Sequence, residues 1–273
     1  SCSVSSGQYY VSDDCSSVTQ SPCNPLLVYA GDMSQYNNTI FYFIGTSSIR
    51  NYDAIMTAIK NVTLHGLDQS PSINCKGVFK TSISIHSSNN ITISNSSFFR
   101  SKYGKIHFYN AFDVNISSSV YNGYQLVIWY NPLPVCSDEL PHYSLILANV
   151  NLTQLLDVGG MELEINHGNS YNVSIIFDHL HSAQWPLMLE LFESICNFFI
   201  IKSSFDNANQ SVSFSIKFGE NSTPTKCSYP GITLVSNVVL IEESQFYNNW
   251  HGFEITTDQY LPGTMNYHII IKS

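Results

Sequence analysis

Ile83-Ser84-Ile85-His86-Ser87-Ser88-Asn89-Asn90-Ile91-Thr92-Ile93-Ser94-Asn95-Ser96-Ser97-Phe98 is the stretch that decides the fold. Apolar and polar residues alternate on both sides of a polar turn, which is the period-two pattern of half-buried strands. Ile83 with Ile85, and Ile91 with Ile93, are expected to point to one side, toward a core. The pattern recurs. Met161-Glu162-Leu163-Glu164-Ile165 leads to Asn172-Val173-Ser174-Ile175, and Leu187-Met188-Leu189-Glu190-Leu191 leads to Cys196-Asn197-Phe198-Phe199-Ile200. Ile232-Thr233-Leu234 leads in the same way to Asn237-Val238-Val239-Leu240. Fainter copies centre on Asn61, Asn115, Asn151 and Asn266.

The eight repeat asparagines are separated by 29, 25, 36, 21, 25, 40 and 29 residues. Strand-like alternation returning every ~20–30 residues, with no helical stretch between copies, predicts an all-β solenoid. A β-sandwich ranks second, because its turn signals fall every ~8–12 residues without a fixed asparagine. The two long steps hold inserts near 131–143 and 219–231, with Pro132, Pro134, Pro141, Pro224 and Pro230. Such prolines are excluded from central strands, so both inserts are expected to be loops. Residues 1–54 read as an amino-terminal cap with first strands, and 55–273 as the coils. Phe98, Phe205 and Phe246 each follow a repeat Asn by eight or nine residues. They are expected to stack as an aromatic ladder in the core.

Composition narrows the function. The 273 residues are 44% apolar and only 11% charged, with a net charge of −9. An acidic chain offers no electrostatic footprint for nucleic acid. No apolar run approaches the ~18 residues of a membrane span, so no membrane insertion is expected within the chain. Ser1, with no charged and apolar leader after it, reads as a chain numbered from beyond a signal peptide. Nine Asn-x-Ser/Thr sequons stand at Asn37, Asn61, Asn90, Asn95, Asn115, Asn151, Asn172, Asn209 and Asn221. Together with seven cysteines they point to secretion or the cell surface, with N-linked glycans. Cys15 and Cys23 flank a short polar segment and are expected to close a disulfide loop. Cys196 and Cys227 are a second candidate pair, and the odd number leaves one thiol for another chain or a missing partner.

The coil pattern I-x-I-x-x-S-x-N-N-I-T-I-x-N-S-x-F resembles the right-handed parallel β-helix repeats of the pectin-lyase-like superfamily. Tyr9 to Asp14-Cys15, Pro22-Cys23-Asn24-Pro25-Leu26-Leu27, Thr39-Ile40-Phe41-Tyr42-Phe43 and Asn61-Val62-Thr63-Leu64-His65-Gly66-Leu67 extend the likeness. They are similar to the secreted or cell-surface β-helix glycoproteins of sponges and other early-branching animals. The resemblance covers essentially the whole chain. It implies a single right-handed β-helix with a disulfide-bonded amino-terminal cap, and it is nearly silent about activity. That family usually runs longer; Ile269-Ile270-Ile271-Lys272-Ser273 breaks off midway through a coil, either at a fragment boundary or at an open solenoid end.

Enzymes on such a fold cleave acidic polysaccharides with paired carboxylates, or with a Ca²⁺-binding acid set and a basic residue. The only Asp-Asp is Asp13-Asp14, outside the repeats, and no Gly-His-Gly occurs. The chain is therefore expected to be non-enzymatic, with no cofactor and no metal. His179-Leu180-His181 beside Asp178 places two imidazoles on one strand face, but a metal needs a third ligand, such as His167 or Glu190 from a neighbouring coil. Hydrogen-bonded, solvent-facing histidines are the preferred reading. His65, His86 and His107, spaced by 21, fall in different phases of the repeat and are not read as a row. Glu162 with Glu164, and Glu242 with Glu243, read as solvated acids.

Two accounts of the repeat Asn compete. A turn Asn in the left-handed conformation can join an amide ladder along the stack, and if buried there it carries no glycan. Asn61, Asn90, Asn115, Asn151 and Asn172 are nonetheless sequons, and for these the accounts stand even. Asn37, Asn95, Asn209 and Asn221 lie off that ladder and are the favoured acceptors. The expected function is a structural or adhesive extracellular glycoprotein. Its partners are itself, stacked head to tail into fibres, or other extracellular glycoproteins and glycans. The alternative is a carbohydrate-binding or polysaccharide-cleaving β-helix, with Trp129, Trp185 and Trp250 stacking on sugar rings.

Overall fold

From Thr39–Ile44 onward each described strand bonds to the strand three places along the chain, while Gly7–Val11 bonds to Cys23–Asn24 and Thr39–Ile44. This holds in a computed structural model that describes residues 7–30, 33–47, 54–67, 77–79, 83–99, 105–122, 125–130, 142–153, 160–165, 172–183, 187–192, 195–206, 214–219, 235–247, 253–257 and 265–273. Three sheets result, all parallel. Sheet A runs through eleven strands among the described residues: Cys23–Asn24, Gly7–Val11, Thr39–Ile44, Lys60–Leu67, Asn89–Ser94, Phe112–Ser117, His142–Ala148, Asn172–Asp178, Ile195–Ile201, Val235–Glu242 and Met265–Lys272. Sheet B has eight short strands, from Thr46–Ser47 to Gln245–Tyr247, and sheet C eight, from Ala54–Thr57 to Phe253–Thr257. The chain is all-β, and its one α-helix among the described residues is Leu26–Ala30. No described helix is long and apolar enough to cross a membrane.

Register converts alternation into core. In sheet A, Phe41, Leu64, Ile93, Ile116, Leu147, Phe177, Ile200 and Ile241 pair in one continuous row. Two residues earlier, Val62, Ile91, Val114, Leu145, Ile175, Phe198 and Val239 form the second inward row. All are buried, and Ile83, Ile85, Ile106, Phe108, Leu126 and Ile128 of sheet C bury against them. Ile83, Ile85, Ile91 and Ile93 thus face inward as the alternation requires.

Phe98, Phe205 and Phe246 do share one row of sheet B, but not one ladder. The row runs Phe79, Phe98, Tyr121, Leu152, Ser182, Phe205, Phe246. Leu152 and Ser182 split it into two stacks, Phe98 on Tyr121 with centroids 4.6 Å apart and Phe205 on Phe246 at 5.1 Å. Phe98 and Phe205 are buried, as core residues are.

Seven passages from sheet A to sheet B among the described residues turn on one residue with positive φ: Gly45, Asn95, Ser118, Asn149, His179, Lys202 and Glu243. Buried serines close several of these corners. Ser203 Oγ accepts the Leu180 N–H at 3.0 Å and donates to the Ile201 carbonyl at 2.8 Å. Ser244 Oγ does the same for the Ser203 N–H, and Ser119 Oγ for the Ser96 N–H. Ser203→Ala leaves the buried Leu180 N–H without its acceptor, so it is expected to cost about 1–3 kcal/mol in urea unfolding. A loss within error of zero refutes this role.

Side chains of the short helix pack onto the first strands. Leu26 and Tyr29 of the helix are buried in the core. Tyr9, Tyr29, Tyr36 and Phe41 form a ring cluster with centroids 5.2–5.7 Å apart, Tyr9 stacked on Phe41 and Tyr36 edge-on to the other three. Cys15 and Cys23 are disulfide-bonded, Cα atoms 5.7 Å apart. At the other extreme of sheet A, Ile269 and Ile271 continue the inward rows but are 50% and 71% exposed.

Candidate functional site

Two places on the outer surface gather side chains with chemistry, one on sheet A and one on sheet C. On sheet A, Asn38, Asn61 and Asn90 each stand one residue before the second inward row, in register on three successive strands. Their φ angles are 56°, 55° and 54°, the left-handed region that Asn tolerates better than other side chains. Asn61 Nδ2 donates to Asn38 Oδ1 at 2.7 Å, and Asn90 Nδ2 donates to Asn61 Oδ1 at 2.9 Å. All three residues are exposed. Asp113 takes the next position, with φ 51°, and accepts from Ser144 Oγ at 2.9 Å. An ionised carboxylate has no N–H to give, so the ladder ends at Asn90.

The ladder is therefore real but shorter and differently composed than the sequence implied. Asn115 is not in it: it pairs with Thr92, two positions farther along the strand. Asn151 lies in sheet B, between Val120 and His181. Asn172 pairs with His142 and Ile195, Asn197 with Ser174 and Val238, and Asn237 with Tyr267. Asn followed by alternating apolar residues recurs in several phases, and only backbone pairing separates them. Asn38, the founding member, was missed because it precedes the first clear repeat; the signal available was its place before Thr39-Ile40-Phe41. The premise that a ladder Asn is buried also fails, since these amides face solvent.

The remaining sequons divide. Asn37 Oδ1 accepts the Lys60 N–H at 2.7 Å, and Asn95 Nδ2 donates to the Gly66 carbonyl at 2.6 Å. Asn151 is exposed and Asn115 half-buried. Asn209 and Asn221 lie outside the described residues.

On sheet C, His86, His107 and Tyr109 meet. The rings of His86 and His107 are 6.0 Å apart, His86 and Tyr109 5.7 Å, and His107 and Tyr109 6.0 Å. His65, His86 and His107 form no row, as their phases implied: His65 pairs with Ser94 in sheet A, His86 pairs with Tyr109, and His107 sits two residues before Tyr109 on the same strand. Backbone register extends from Tyr109 to Trp129, Glu164, Glu190 and Lys217. Trp185 and Trp250 lie outside the described residues.

His179 and His181 do not share a face. His179 is a corner residue with φ 52°, its Nδ1 2.6 Å from Asp178 Oδ1. His181 is in a strand of sheet B, with Nδ1 2.6 Å from Ser204 Oγ, and the Leu180 side chain between them is buried. Among the described residues no three of His, Cys, Asp and Glu converge as metal ligands. Glu242 ends a strand of sheet A and Glu243 is a corner residue, so this pair also diverges. Asp14 of the Asp13-Asp14 pair caps the 3-10 turn Cys15–Ser17. The Ser16 hydroxyl, then the Ser16 N–H, hold its carboxyl below the usual range. Cys196 lies in the strand Ile195–Ile201, paired with Val173. Cys227, its expected partner, lies outside the described residues, as do Cys2, Cys75 and Cys136.

No family model, no curated protein and no solved structure matches this chain.

Proposed function

We propose that the chain winds as a right-handed parallel β-helix and serves outside the cell as a non-enzymatic, N-glycosylated structural glycoprotein. The observation that carries this reading is sheet A, whose parallel register passes without a break from Cys23–Asn24 to Met265–Lys272. Strands three apart in sequence pair in all three sheets, which is how a three-sided solenoid stacks its coils into one continuous core. A rod of this kind presents sequons and side chains at rung intervals of ~4.8 Å, a scaffold for display or assembly.

Self-association is part of the reading: copies of the rod stack head to tail into fibres, or meet other extracellular glycoproteins and glycans. Electron microscopy of the purified chain beside a non-reducing gel tests it: filaments with a ~4.8 Å repeat along their axis support the stacking, and discrete monomers sink it. Release of product from a panel of neutral and acidic polysaccharides sinks the non-enzymatic reading.

One observation favours a second reading, carbohydrate binding on sheet C. His86, Tyr109 and Trp129 hold one backbone register position on successive strands, and the His107 ring lies beside those of His86 and Tyr109, an arrangement that suits stacking on successive sugars. Affinity electrophoresis in polysaccharide gels tests it: retardation that Tyr109→Ala abolishes supports this reading over the structural one.

A further inference from the structure

The Asn38–Asn61–Asn90 ladder makes a prediction about glycans that the sequons alone do not. Asn61 donates toward Asn38 and accepts from Asn90, on opposite sides along the rod. An amide can do both only with the N–H that points away from its own carbonyl. Its second N–H, on the carbonyl side, takes no part in the ladder, and the residue is exposed. Asn90 likewise uses one N–H, toward Asn61.

Transfer from a lipid-linked diphospho-oligosaccharide forms the bond between Nδ2 and the sugar C1. It breaks the bond from C1 to the diphosphate oxygen, and one amide proton leaves. One N–H remains on the glycosylated Asn. In a secondary amide of ordinary trans geometry that N–H points away from the carbonyl, which is the one the ladder needs. The sugar replaces the idle proton.

We infer that Asn61 and Asn90 are alternative N-glycan acceptors mounted in an intact amide ladder, which carries one glycan at a time. This inference rests on the glycoprotein reading above. The two Nδ2 atoms occupy adjacent rungs, ~4.8 Å apart. The ladder holds both amides alike, so two first sugars would leave side by side and parallel. A pyranose ring with its equatorial substituents is broader than one rung. Occupancy at Asn61 therefore excludes occupancy at Asn90 in the folded protein, and the reverse. Thr63 and Thr92, the third residues of the two sequons, pair with one another on the same face. Either sequon can be removed there without touching an amide of the ladder.

The test uses the full chain secreted from a eukaryotic host, read by intact mass and by site-resolved glycopeptide mass spectrometry. Folded protein is expected to carry one glycan across the pair. Thr92→Val is expected to raise Asn61 occupancy toward completeness, and Thr63→Val to do the same for Asn90. Molecules glycosylated at both sites overturn the exclusion, and molecules glycosylated at neither overturn the inference. Coexistence with the ladder is read by a second variant, Asn38→Gly, which removes an acceptor at a position whose positive φ glycine accepts. It is expected to lower the melting midpoint equally in the glycosylated protein and in Thr63→Val/Thr92→Val. A loss confined to the unglycosylated protein means the sugar has displaced the ladder. Asn151, exposed and off the ladder, separates the two failures. Asn151 occupied with both ladder sites empty defeats only this inference, whereas natural-source protein with no glycan at any sequon defeats the glycoprotein reading.

Discussion

Replacing Phe177 by Ala is expected to lower the stability by about 3–5 kcal/mol, the usual cost of truncating a fully buried aromatic. Phe177 lies in the inward row of sheet A between Leu147 and Ile200, and its ring meets Phe198 edge-on at 5.2 Å. It has no exposure. Phe177 is paired on both sides in sheet A, so collapse around the vacancy requires both neighbouring strands to shift, and the cavity term persists. Ile176, the next residue, faces outward and is half-buried. Ile176→Ala is expected to cost roughly 1 kcal/mol or less. Urea unfolding of both variants decides the matter, and equal losses would mean that the inward register has been assigned to the wrong residues.

The second large effect is alkaline. Burial holds the Tyr121 phenol well above its usual range, and burial together with the nearby Asp113 does the same for Tyr143. Both favour the protonated form in the folded state. Their contribution is therefore complete below the unfolded-state value of ~10 and is lost as pH rises above it. At pH ~12 each phenol opposes folding by about 3 kcal/mol, two units at 1.36 kcal/mol each. Stability is expected to fall steeply between pH ~10 and ~12, and Tyr121→Phe/Tyr143→Phe to flatten that fall. At neutral pH Tyr121→Phe alone is expected to stabilise by about 1–3 kcal/mol, because the buried Tyr121 hydroxyl has no hydrogen-bond partner among the described residues. An unchanged alkaline slope in the double variant, measured by urea titration at each pH, refutes the assignment.

Much of the fold was legible because it is written in alternation. Ile83, Ile85, Ile91 and Ile93 needed no tertiary information to be placed inside, since a strand between two coils has one dry face and one wet one. The Cys15–Cys23 bond was legible for a similar reason: eight residues of separation bring the two sulfurs within reach with little help from the rest of the chain. The helix Leu26–Ala30 was not foreseen, because five residues are too few for a periodic pattern and the helix exists by packing Leu26 and Tyr29 onto the first coil.

The candidate sites were less legible. The eight repeat asparagines looked equivalent because each precedes alternating apolar residues, but Asn115 is two positions out of register with Asn90 and Asp113 stands where the ladder Asn was expected. His86, His107 and Tyr109 are brought together by strand pairing that their sequence positions do not show, and His179 and His181 are hydrogen-bonded and exposed as preferred, but on diverging elements rather than one strand face.

The sequence by itself determined which residues alternate between core and solvent, that strands dominate, and where the sequons stand. Those are local properties, set by side-chain polarity at period two and by three-residue sequons. Tertiary structure alone decided which strand lies beside which, and hence that Asn38, Asn61 and Asn90 join while Asn115 does not. Coils of unequal length erase the sequence period, and only the hydrogen-bonded register between strands three apart restores it.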